Sequence, residues 1–232
     1  GDLVAGLKQR GVLDNTLILF MSDNGGNAES GPKGKTVGDP TKGGSDWFCG
    51  MSWAFVENTP FRLFKHFNHE GGVATPLIAH WPAGIAAKGE WRTQPAHLID
   101  ILPTCAEVAG AAYPAAFNGR PVLPPEGRSL TGAFANQPIA RDALYWEHEG
   151  NAAVRAGDWK LVRQGRAGAW ELYDMKADRT ELHDLAAAQP EKARELAARW
   201  EAWAERAQVK PYPADGKGKK GKGGGKKKAK AD

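Results

Sequence analysis

The chain has 232 residues, of which 41% are hydrophobic, and this is enough for one or two domains with an apolar core. Its net charge of +4 comes from the last 24 residues, which carry nine Lys and two Asp, so residues 1–208 sum to −3. The folded part therefore lacks the basic charge of a nucleic-acid-binding domain. Two cysteines are too few for a disulfide framework, and no apolar run approaches the ~20 residues of a membrane-spanning helix.

The first residues predict a helix that leads into a strand. Leu3, Val4 and Leu7 share one face of a helical pattern, and Gly11 is a suitable C-terminal stop. The pattern is typical of the second half of an amphipathic helix, so we expect a further portion of the protein upstream. Helix followed by strand is the order found in α/β folds.

Residues 17–26, with the sequence LILFMSDNGG, predict a strand that ends in a ligand site. An unbroken apolar run is typical of a parallel strand covered on both faces, and ligands of open α/β sheets collect beyond the carboxyl ends of such strands. Asp23 and Asn24 are hard oxygen donors of the kind that Ca²⁺ and Mg²⁺ prefer. An ordinary Asp-Asn-Gly-Gly turn explains the same residues equally well, and the segment alone does not separate the two interpretations.

The middle of the chain predicts a surface loop, a second strand and a helix. Residues 25–52 are rich in Gly, Lys, Ser and Pro, and the aromatic segment 46–55 should pack back onto the domain. Residues 75–81 predict a second buried strand. The helix predicted at 98–109 has an apolar face that we expect to point inward, formed by Leu98, Ile101, Leu102, Cys105, Val108 and Ala109.

The last third of the chain predicts a small antiparallel sheet and a helix. Strands with a period of two are expected at 143–147, 152–155, 159–163 and 170–173. A helix at 190–207 carries an apolar stripe that should lie on this sheet, formed by Leu196, Ala197, Trp200, Trp203 and Ala204. We therefore divide the chain into an α/β part at 1–125, an α+β subdomain at 126–208 and a Lys/Gly-rich tail at 209–232 that we expect to be disordered.

Several segments occur in one order that is known from a protein family. They include NTLILFMSDNGG at 15–26, NTPFRLFK at 58–65 with HEGG at 69–72, TPLIAHWP at 75–82, DILPT at 100–104 and WEHEGN at 146–151. Over about residues 1–190 the chain resembles the C-terminal half of sulfatases in the alkaline phosphatase superfamily, most closely bacterial arylsulfatases. The resemblance implies the C-terminal half of an alkaline-phosphatase-like α/β domain, followed by a small antiparallel sheet packed with a C-terminal helix. It also implies a hydrolase that cleaves an aryl or carbohydrate sulfate ester with Ca²⁺ and a formylglycine.

The resemblance assigns roles to individual residues. Asp23 and Asn24 match two Ca²⁺ ligands of the family, and Lys65 matches the lysine that holds the sulfate group and the catalytic aldehyde hydrate. A cation and an ammonium would both stabilise negative charge on the sulfate oxygens. His69 is a candidate substrate contact or, equally, a hydrogen-bonded structural residue. His148 is a candidate for substrate recognition or for proton transfer to the leaving group.

Other parts of the family's active site are missing from the chain. Formylglycine is made from a Cys or Ser in a Cys/Ser-x-Pro-x-Arg motif, which does not occur here. The paired aspartates that complete the metal shell are also missing, and two ligands cannot satisfy a Ca²⁺ ion that takes six to eight oxygens. We therefore expect this chain alone to be an inactive fragment of a longer enzyme, which the resemblance places in the periplasm or outside the cell.

Two alternative functions stay open. A phosphodiesterase or phosphonate hydrolase of the same superfamily could share these segments. The chain could instead be a non-catalytic protein whose Lys-rich tail binds polyanions weakly. We expect no specific nucleic-acid partner, because the Lys run lacks interleaved aromatic residues on which bases would stack.

Overall fold

The computed structural model describes residues 1–210, so that all but the first two residues of the predicted tail lie outside the description. Its helices are α1 (Asp2–Gln9), α2 (Met51–Asn58), α3 (Glu70–Val73), α4 (Ile101–Val108), α5 (Thr131–Phe134) and α6 (Pro190–Arg206). Its strands are β1 (Ile18–Met21), β2 (Lys35–Val37), β3 (Asp46–Phe48), β4 (Leu77–His80), β5 (Ala116–Phe117), β6 (Arg120–Pro121), β7 (Leu144–His148), β8 (Asn151–Ala156), β9 (Trp159–Arg163) and β10 (Glu171–Asp174). Within residues 1–210, no helix combines the length and apolar character that crossing a membrane requires.

The strand that carries the Asp-Asn-Gly-Gly segment is antiparallel to its neighbour, so the predicted parallel arrangement is wrong for this pair. Strand β1 pairs with β4, with Met21 opposite Leu77. The backbone N–H of Gly25, just after β1, donates to the carbonyl of Gly72 at 3.1 Å. This bond holds the segment that precedes β4 beside the end of β1. Strand β4 begins a few residues later and therefore runs in the opposite direction.

One face of this two-stranded sheet is exposed, which corrects the prediction that both strands are buried. The cross-strand partners Phe20 and Ile78 are 69% and 60% exposed. The other positions of the two strands are half-buried, apart from His80 at the end of β4. Period-two alternation, with one face covered, describes these strands better than continuous burial.

Helix α4 is oriented by polar contacts, and its predicted inward face is wrong except at Ile101 and Val108, which are half-buried. Leu98 and Leu102 are 66% and 56% exposed, and Cys105 is also exposed. Thr104 is buried instead, because its hydroxyl donates to the carbonyl of Asp100 at 2.6 Å and accepts from the backbone of Leu130 at 2.9 Å.

The polar side of α4 is held by one buried carboxylate. Asp100 is fully buried and accepts hydrogen bonds from the backbone N–H groups of His97 and Arg128, each at 2.8 Å. It also forms an ion pair with Arg141 at 2.6 Å. Because unpaired buried polar groups are costly, these partners determine which side of the helix faces inward.

The predicted loop at 25–52 contains structure that the composition did not indicate. Strands β2 and β3 form a hairpin, and α2 starts at Met51. The aromatic residues expected to pack back are exposed by 41–65%, namely Trp47, Phe48, Trp53 and Phe55. The expectation of a covered aromatic segment is therefore wrong for the described residues.

The C-terminal sheet and helix are as predicted. The four strands have the order β10-β9-β8-β7 with every pair antiparallel. One face packs against α6 through Val154, Leu161, Leu172, Leu196 and Trp200. The other face carries a second buried cluster with Ala153, Val162, Tyr173 and Met175. Since both faces are covered, this sheet is the main core of the described chain.

Candidate functional site

The loop after β1 lies directly against the segment that carries Lys65. The backbone N–H of Lys65 donates to the carbonyl of Gly26 at 3.0 Å, and the N–H of Gly26 donates to Asn58 Oδ1 at 2.9 Å. Together with the Gly25–Gly72 bond, these contacts join the Asp-Asn-Gly-Gly and Glu-Gly-Gly segments. The loop that carries Asp23 and Asn24 therefore contacts the Lys65 segment through Gly26, while a shared role for these three residues stays a prediction.

The glycines permit this close approach of backbones. A Cβ atom on Gly25 would lie 1.8 Å from the carbonyl oxygen of Gly71, and one on Gly72 would lie 1.9 Å from that of Phe67. No side chain fits at such distances, so only glycine allows the two backbones to approach each other this closely. The Gly-Gly pairs are therefore part of what builds the site.

Asp23 and Asn24 present free oxygen atoms at the tip of this loop. Asp23 is exposed and Asn24 is half-buried, and their side chains have no hydrogen-bond partner among residues 1–210. The Ser22 hydroxyl donates to the carbonyl of Asn24 at 2.9 Å and fixes the turn. This donor set is chemically suited to Ca²⁺, but as two ligands it is only part of a coordination shell.

Lys65 is held by its backbone while its ammonium group pairs with an exposed acid. Its Nζ atom lies 3.1 Å from Glu29 Oε2, and the side chains of Lys65 and Glu29 are 31% and 56% exposed. Such a pair is weak and exchanges readily with other ions. The ammonium group is therefore available to an incoming anion.

His69 lies in the interior of the protein. It is fully buried, and its Nε2 atom is 3.3 Å from Glu171 Oε2. The same carboxylate oxygen accepts from Arg62 at 3.1 Å and from the Tyr173 hydroxyl at 2.5 Å. This is the hydrogen-bonded structural role that the sequence allowed, while a contact between His69 and substrate stays a prediction.

The contacts around Glu171 shift the pKa values of Glu171 and Tyr173 in opposite directions. The hydrogen bond from His69, with those from Tyr173 and the charge of Arg62, lowers the pKa of Glu171 to about 2 against the opposing effect of burial. Burial and the neighbouring Glu171 carboxylate raise the pKa of Tyr173. Glu171 is therefore ionised at neutral pH. Its contacts with Arg62 and His69 connect residues 62–69 to the C-terminal sheet.

A second buried network was missed by the sequence interpretation. Lys160 on β9 is fully buried and lies 2.8 Å from both Glu70 Oε1 and Glu181 Oε1. Burial acts to raise the pKa of Glu70, but Lys160 together with the charges of Arg155 and Arg179 outweighs burial and holds that pKa below its usual value. The alternation of β9 places Lys160 on the same face as Val162, and a lysine in that position signals a buried charge with acidic partners. The ion pair between Lys160 and Glu70 holds the first residue of α3 against the C-terminal sheet.

His148 reaches the Lys65 segment from the C-terminal sheet. It ends β7, and its ring lies 5.2 Å, centroid to centroid, from that of His66 at an interplanar angle of 81°. His66 directly follows Lys65 in the chain, and its Nδ1 atom lies 3.4 Å from Glu149 Oε2. His148 therefore contacts the residue that follows Lys65, whereas His69 is buried against Glu171.

Two family models match the chain. The model described as Sulfatase matches residues 1–111, and the model described as N-sulphoglucosamine sulphohydrolase, C-terminal, matches residues 61–206. The matches overlap across the segment that joins Lys65 to the C-terminal sheet. The domain boundary at residue 125 stays a prediction.

Individual proteins show the same likeness. An uncharacterized sulfatase of Schizosaccharomyces pombe is 34% identical over 224 residues, covering 86% of this chain and 40% of that protein. This chain also resembles the protein in the crystal structure of Ps i-CgsB in complex with k-i-k-neocarrahexaose. The two sequences are 27% identical and the TM-score is 0.67, and the match covers 88% of this chain and 40% of that one. A phosphonate monoester hydrolase of Agrobacterium radiobacter is 21% identical with a TM-score of 0.57, covering 90% of this chain and 38% of that one, and this shows a shared fold.

The matches also bear on the fold class and the extent of the chain. They confirm the predicted fold class, a C-terminal portion of an alkaline-phosphatase-like α/β domain with a small antiparallel sheet. The chain spans about two fifths of the length of these relatives.

Proposed function

This chain belongs to the sulfatase family, and we propose that it is part of an enzyme that hydrolyses sulfuric esters. The observation that supports the proposal is the pair of backbone contacts, Gly25 with Gly72 and Lys65 with Gly26, that joins the Asp23–Asn24 loop to the Lys65 segment at distances that glycine permits. A cation site and an ammonium group side by side are suited to a dianionic transition state. Because the chain spans two fifths of its relatives, the activity is proposed for a longer protein that contains it.

Asp23 and Asn24 would hold Ca²⁺ together with ligands from outside this chain. When bound, the ion would stabilise charge on the sulfate oxygens. The formylglycine that the family resemblance implies would likewise come from outside residues 1–232. On this proposal the chain alone is inactive.

Lys65 is proposed to bind the sulfate group directly. An incoming sulfate would replace Glu29 as the partner of the ammonium group, since both are anions and the existing pair is partly exposed. The backbone bond to Gly26 keeps the Lys65 segment beside the cation ligands during this exchange. Lys65 thereby stabilises charge as it shifts among the sulfate oxygens.

The two histidines are proposed to act differently. His148 would contact the organic part of the ester and donate a proton to the departing oxygen, for which its exposed position beside His66 is suited. His69 would act as a positioning residue, holding the Lys65 segment through Glu171.

The substrate class is proposed to be an aryl or carbohydrate sulfate. The structural relative bound to an oligosaccharide supports the carbohydrate option. The family resemblance further suggests a periplasmic or secreted protein, which cell fractionation of the complete gene product would check.

Turnover of 4-nitrophenyl sulfate and bis(4-nitrophenyl) phosphate tests the proposal, using the longest protein encoded in frame with this chain. Removing a charge-stabilising donor typically lowers kcat about 100- to 1,000-fold, and we expect this loss of sulfatase activity for Lys65→Ala. Lys35→Ala is the matched control, because Lys35 also pairs with an exposed acid, Asp46, but lies on the β2–β3 hairpin. Wild-type activity in Lys65→Ala would remove the assigned role, and preferred turnover of the phosphodiester would support the phosphodiesterase alternative.

A further inference from the structure

Three potential metal ligands meet where the Lys65 segment touches the turn between β7 and β8. One ligand atom each from His66, His148 and Glu149 lies within 4.8 Å of the others. The distance from His66 Nδ1 to Glu149 Oε2 is 3.4 Å. Tetrahedral zinc with bonds of about 2.0–2.2 Å separates its ligand atoms by about 3.4 Å, so the measured pair already has a suitable spacing.

One buried side chain fixes the backbone beneath both histidines. Asn151 is 3% exposed, and its amide donates to the carbonyl of His66 at 3.1 Å and to that of His148 at 3.0 Å. Its oxygen accepts from the backbone of Gly165 at 3.0 Å, which completes its hydrogen bonding within the core. The two histidines, which are far apart in sequence, are therefore presented together by a rigid support.

The backbone at two of the three ligands is in the left-handed region. His66 has a φ of 94° and Glu149 a φ of 51°. Non-glycine residues rarely adopt such angles, which cost free energy and persist where the surrounding structure enforces them. At Glu149 the angle is that of a two-residue hairpin turn formed with Gly150, and at His66 it accompanies a side chain that lies 3.4 Å from Glu149 Oε2.

We propose that His66, His148 and Glu149 form a binding site for a divalent transition metal of the Zn²⁺ class. Two imidazole nitrogens and one carboxylate are a known zinc donor set that leaves a fourth position for water, whereas hard ions such as Ca²⁺ prefer oxygen ligands. The ligand atoms lie up to 4.8 Å apart, which is wider than the spacing around a zinc ion. Because the side chains of His148 and Glu149 are exposed, rotation about their side-chain bonds would bring these atoms closer together. The bound ion would tie the Lys65 segment to the C-terminal sheet, and while it is bound His148 would be a metal ligand and not the proton donor of the proposed hydrolysis. This site is separate from the Ca²⁺ ligands Asp23 and Asn24.

Cobalt binding to the full 232-residue chain, freed of metal with a chelator, tests the proposal. Tetrahedral Co²⁺ has characteristic visible absorption, and added Zn²⁺ should displace it. We expect one ion per chain, with affinity reduced at least about tenfold in His66→Asn and in His148→Ala. Asn is chosen at position 66 because it tolerates a positive φ but lacks the imidazole. Circular dichroism establishes that each variant is folded.

Three control variants separate this site from other ligands in the chain. His183→Ala removes an exposed histidine elsewhere, Asp23→Asn alters the proposed Ca²⁺ site, and a Cys49→Ser/Cys105→Ser variant removes both thiols. All three should bind Co²⁺ as the unaltered chain does. The proposal is overturned if no stoichiometric binding occurs, or if binding survives in the two histidine variants and is lost in a control. Because metal binding is measured directly, the outcome does not depend on the proposed hydrolase activity.

Discussion

On the role proposed for Lys65, Glu29 is the residue with which substrate would compete for the ammonium group. Its carboxylate lies 3.1 Å from the ammonium group, in a pair that solvent reaches from both sides. An exposed ion pair contributes about 0–1 kcal/mol, so replacing Glu29 should free the ammonium at small cost. On this proposal, the pair would hold Lys65 in place before substrate binds and would break when the sulfate group arrives.

Glu29→Gln should lower KM for a sulfate ester up to about fivefold, which corresponds to about 1 kcal/mol, and leave kcat nearly unchanged. The reason is that ground-state and transition-state sulfate both replace the same carboxylate. Steady-state kinetics on the longest in-frame protein would measure this. Asp46→Asn, which breaks the comparable Lys35 pair, should have no effect. An unchanged or increased KM in Glu29→Gln would count against sulfate binding at Lys65.

Glu171 should make folding stability depend on pH in the acidic range. Its pKa is about 2 in the folded chain against an ordinary value of 4.5, so the stabilisation is complete above about pH 4.5 and is lost as the pH falls toward 2. Because the side chain is partly exposed, we expect a loss of about 1–2 kcal/mol instead of the full value of the shift.

Urea unfolding of the 232-residue chain at about pH 6 and pH 3 would measure this loss. Glu171→Gln should be less stable at the higher pH, since it loses the ionic contact with Arg62, and should change less between the two conditions. Glu205→Gln alters an exposed acid on α6 and should behave as the original chain does. If Glu171→Gln retains the original pH dependence, another group is responsible.

At the scale of elements, the glycines of α3 determine how closely its segment packs. A methyl group on Gly72 would lie 1.9 Å from the carbonyl oxygen of Phe67 and 2.8 Å from that of Phe64. Both contacts involve backbone, which cannot rotate away as a side chain can. Gly72→Ala should therefore lower the free energy of unfolding by about 1–3 kcal/mol or more.

Gly6→Ala is the matched control for this substitution. Gly6 lies within α1, and a Cβ atom there meets nothing within 4 Å. Alanine is a better helix former, so this variant should gain up to about 1 kcal/mol. Urea unfolding midpoints of the two variants should shift in opposite directions. Equal stability of Gly72→Ala and the original chain would show that the segment relaxes more easily than its contacts indicate.

Elements defined by local pattern could be predicted from the sequence, whereas contacts between distant segments could not. Strands β7 to β10 and helix α6 could be predicted because short apolar segments, the turns between them and the apolar stripe of α6 are all local features of the sequence. The direction of β4 depends on the bond between Gly25 and Gly72, which no local pattern encodes. Similarly, Lys160 stands out on its strand, but its partners Glu70 and Glu181 come from two distant segments.

The residues of the candidate site likewise differ in how far the sequence could predict their positions. Asp23, Asn24 and Lys65 could be proposed as site residues because their flanking residues resemble a family. The burial of His69 could not, because it depends on Glu171 in another part of the chain. The pairing of His148 with His66 depends in turn on Asn151, whose side chain holds both backbones.

For the whole molecule, the distribution of exposed apolar residues distinguishes the two parts of the chain. The C-terminal sheet has both faces covered, whereas Phe20 and Ile78 on the first sheet are 69% and 60% exposed. Leu98 and Leu102 add exposed apolar surface in the same N-terminal half. Contiguous exposed apolar surface usually marks a contact with other protein. Relatives more than twice as long as this chain contain protein that could cover it.

We predict that the 232-residue chain alone binds a hydrophobic dye such as ANS through the Phe20–Ile78 face and associates with itself as concentration rises. A Phe20→Ser/Ile78→Thr variant should bind less dye and sediment closer to a monomer, because the apolar pair is removed. Leu182→Ser is the control, since Leu182 is 68% exposed but lies beside the C-terminal sheet. In the longest in-frame protein the dye signal should be largely absent, because the remaining part of the enzyme would occupy this face. Equal dye binding by the double variant and the original chain would place the exposed surface elsewhere, and the first sheet would then need no covering partner.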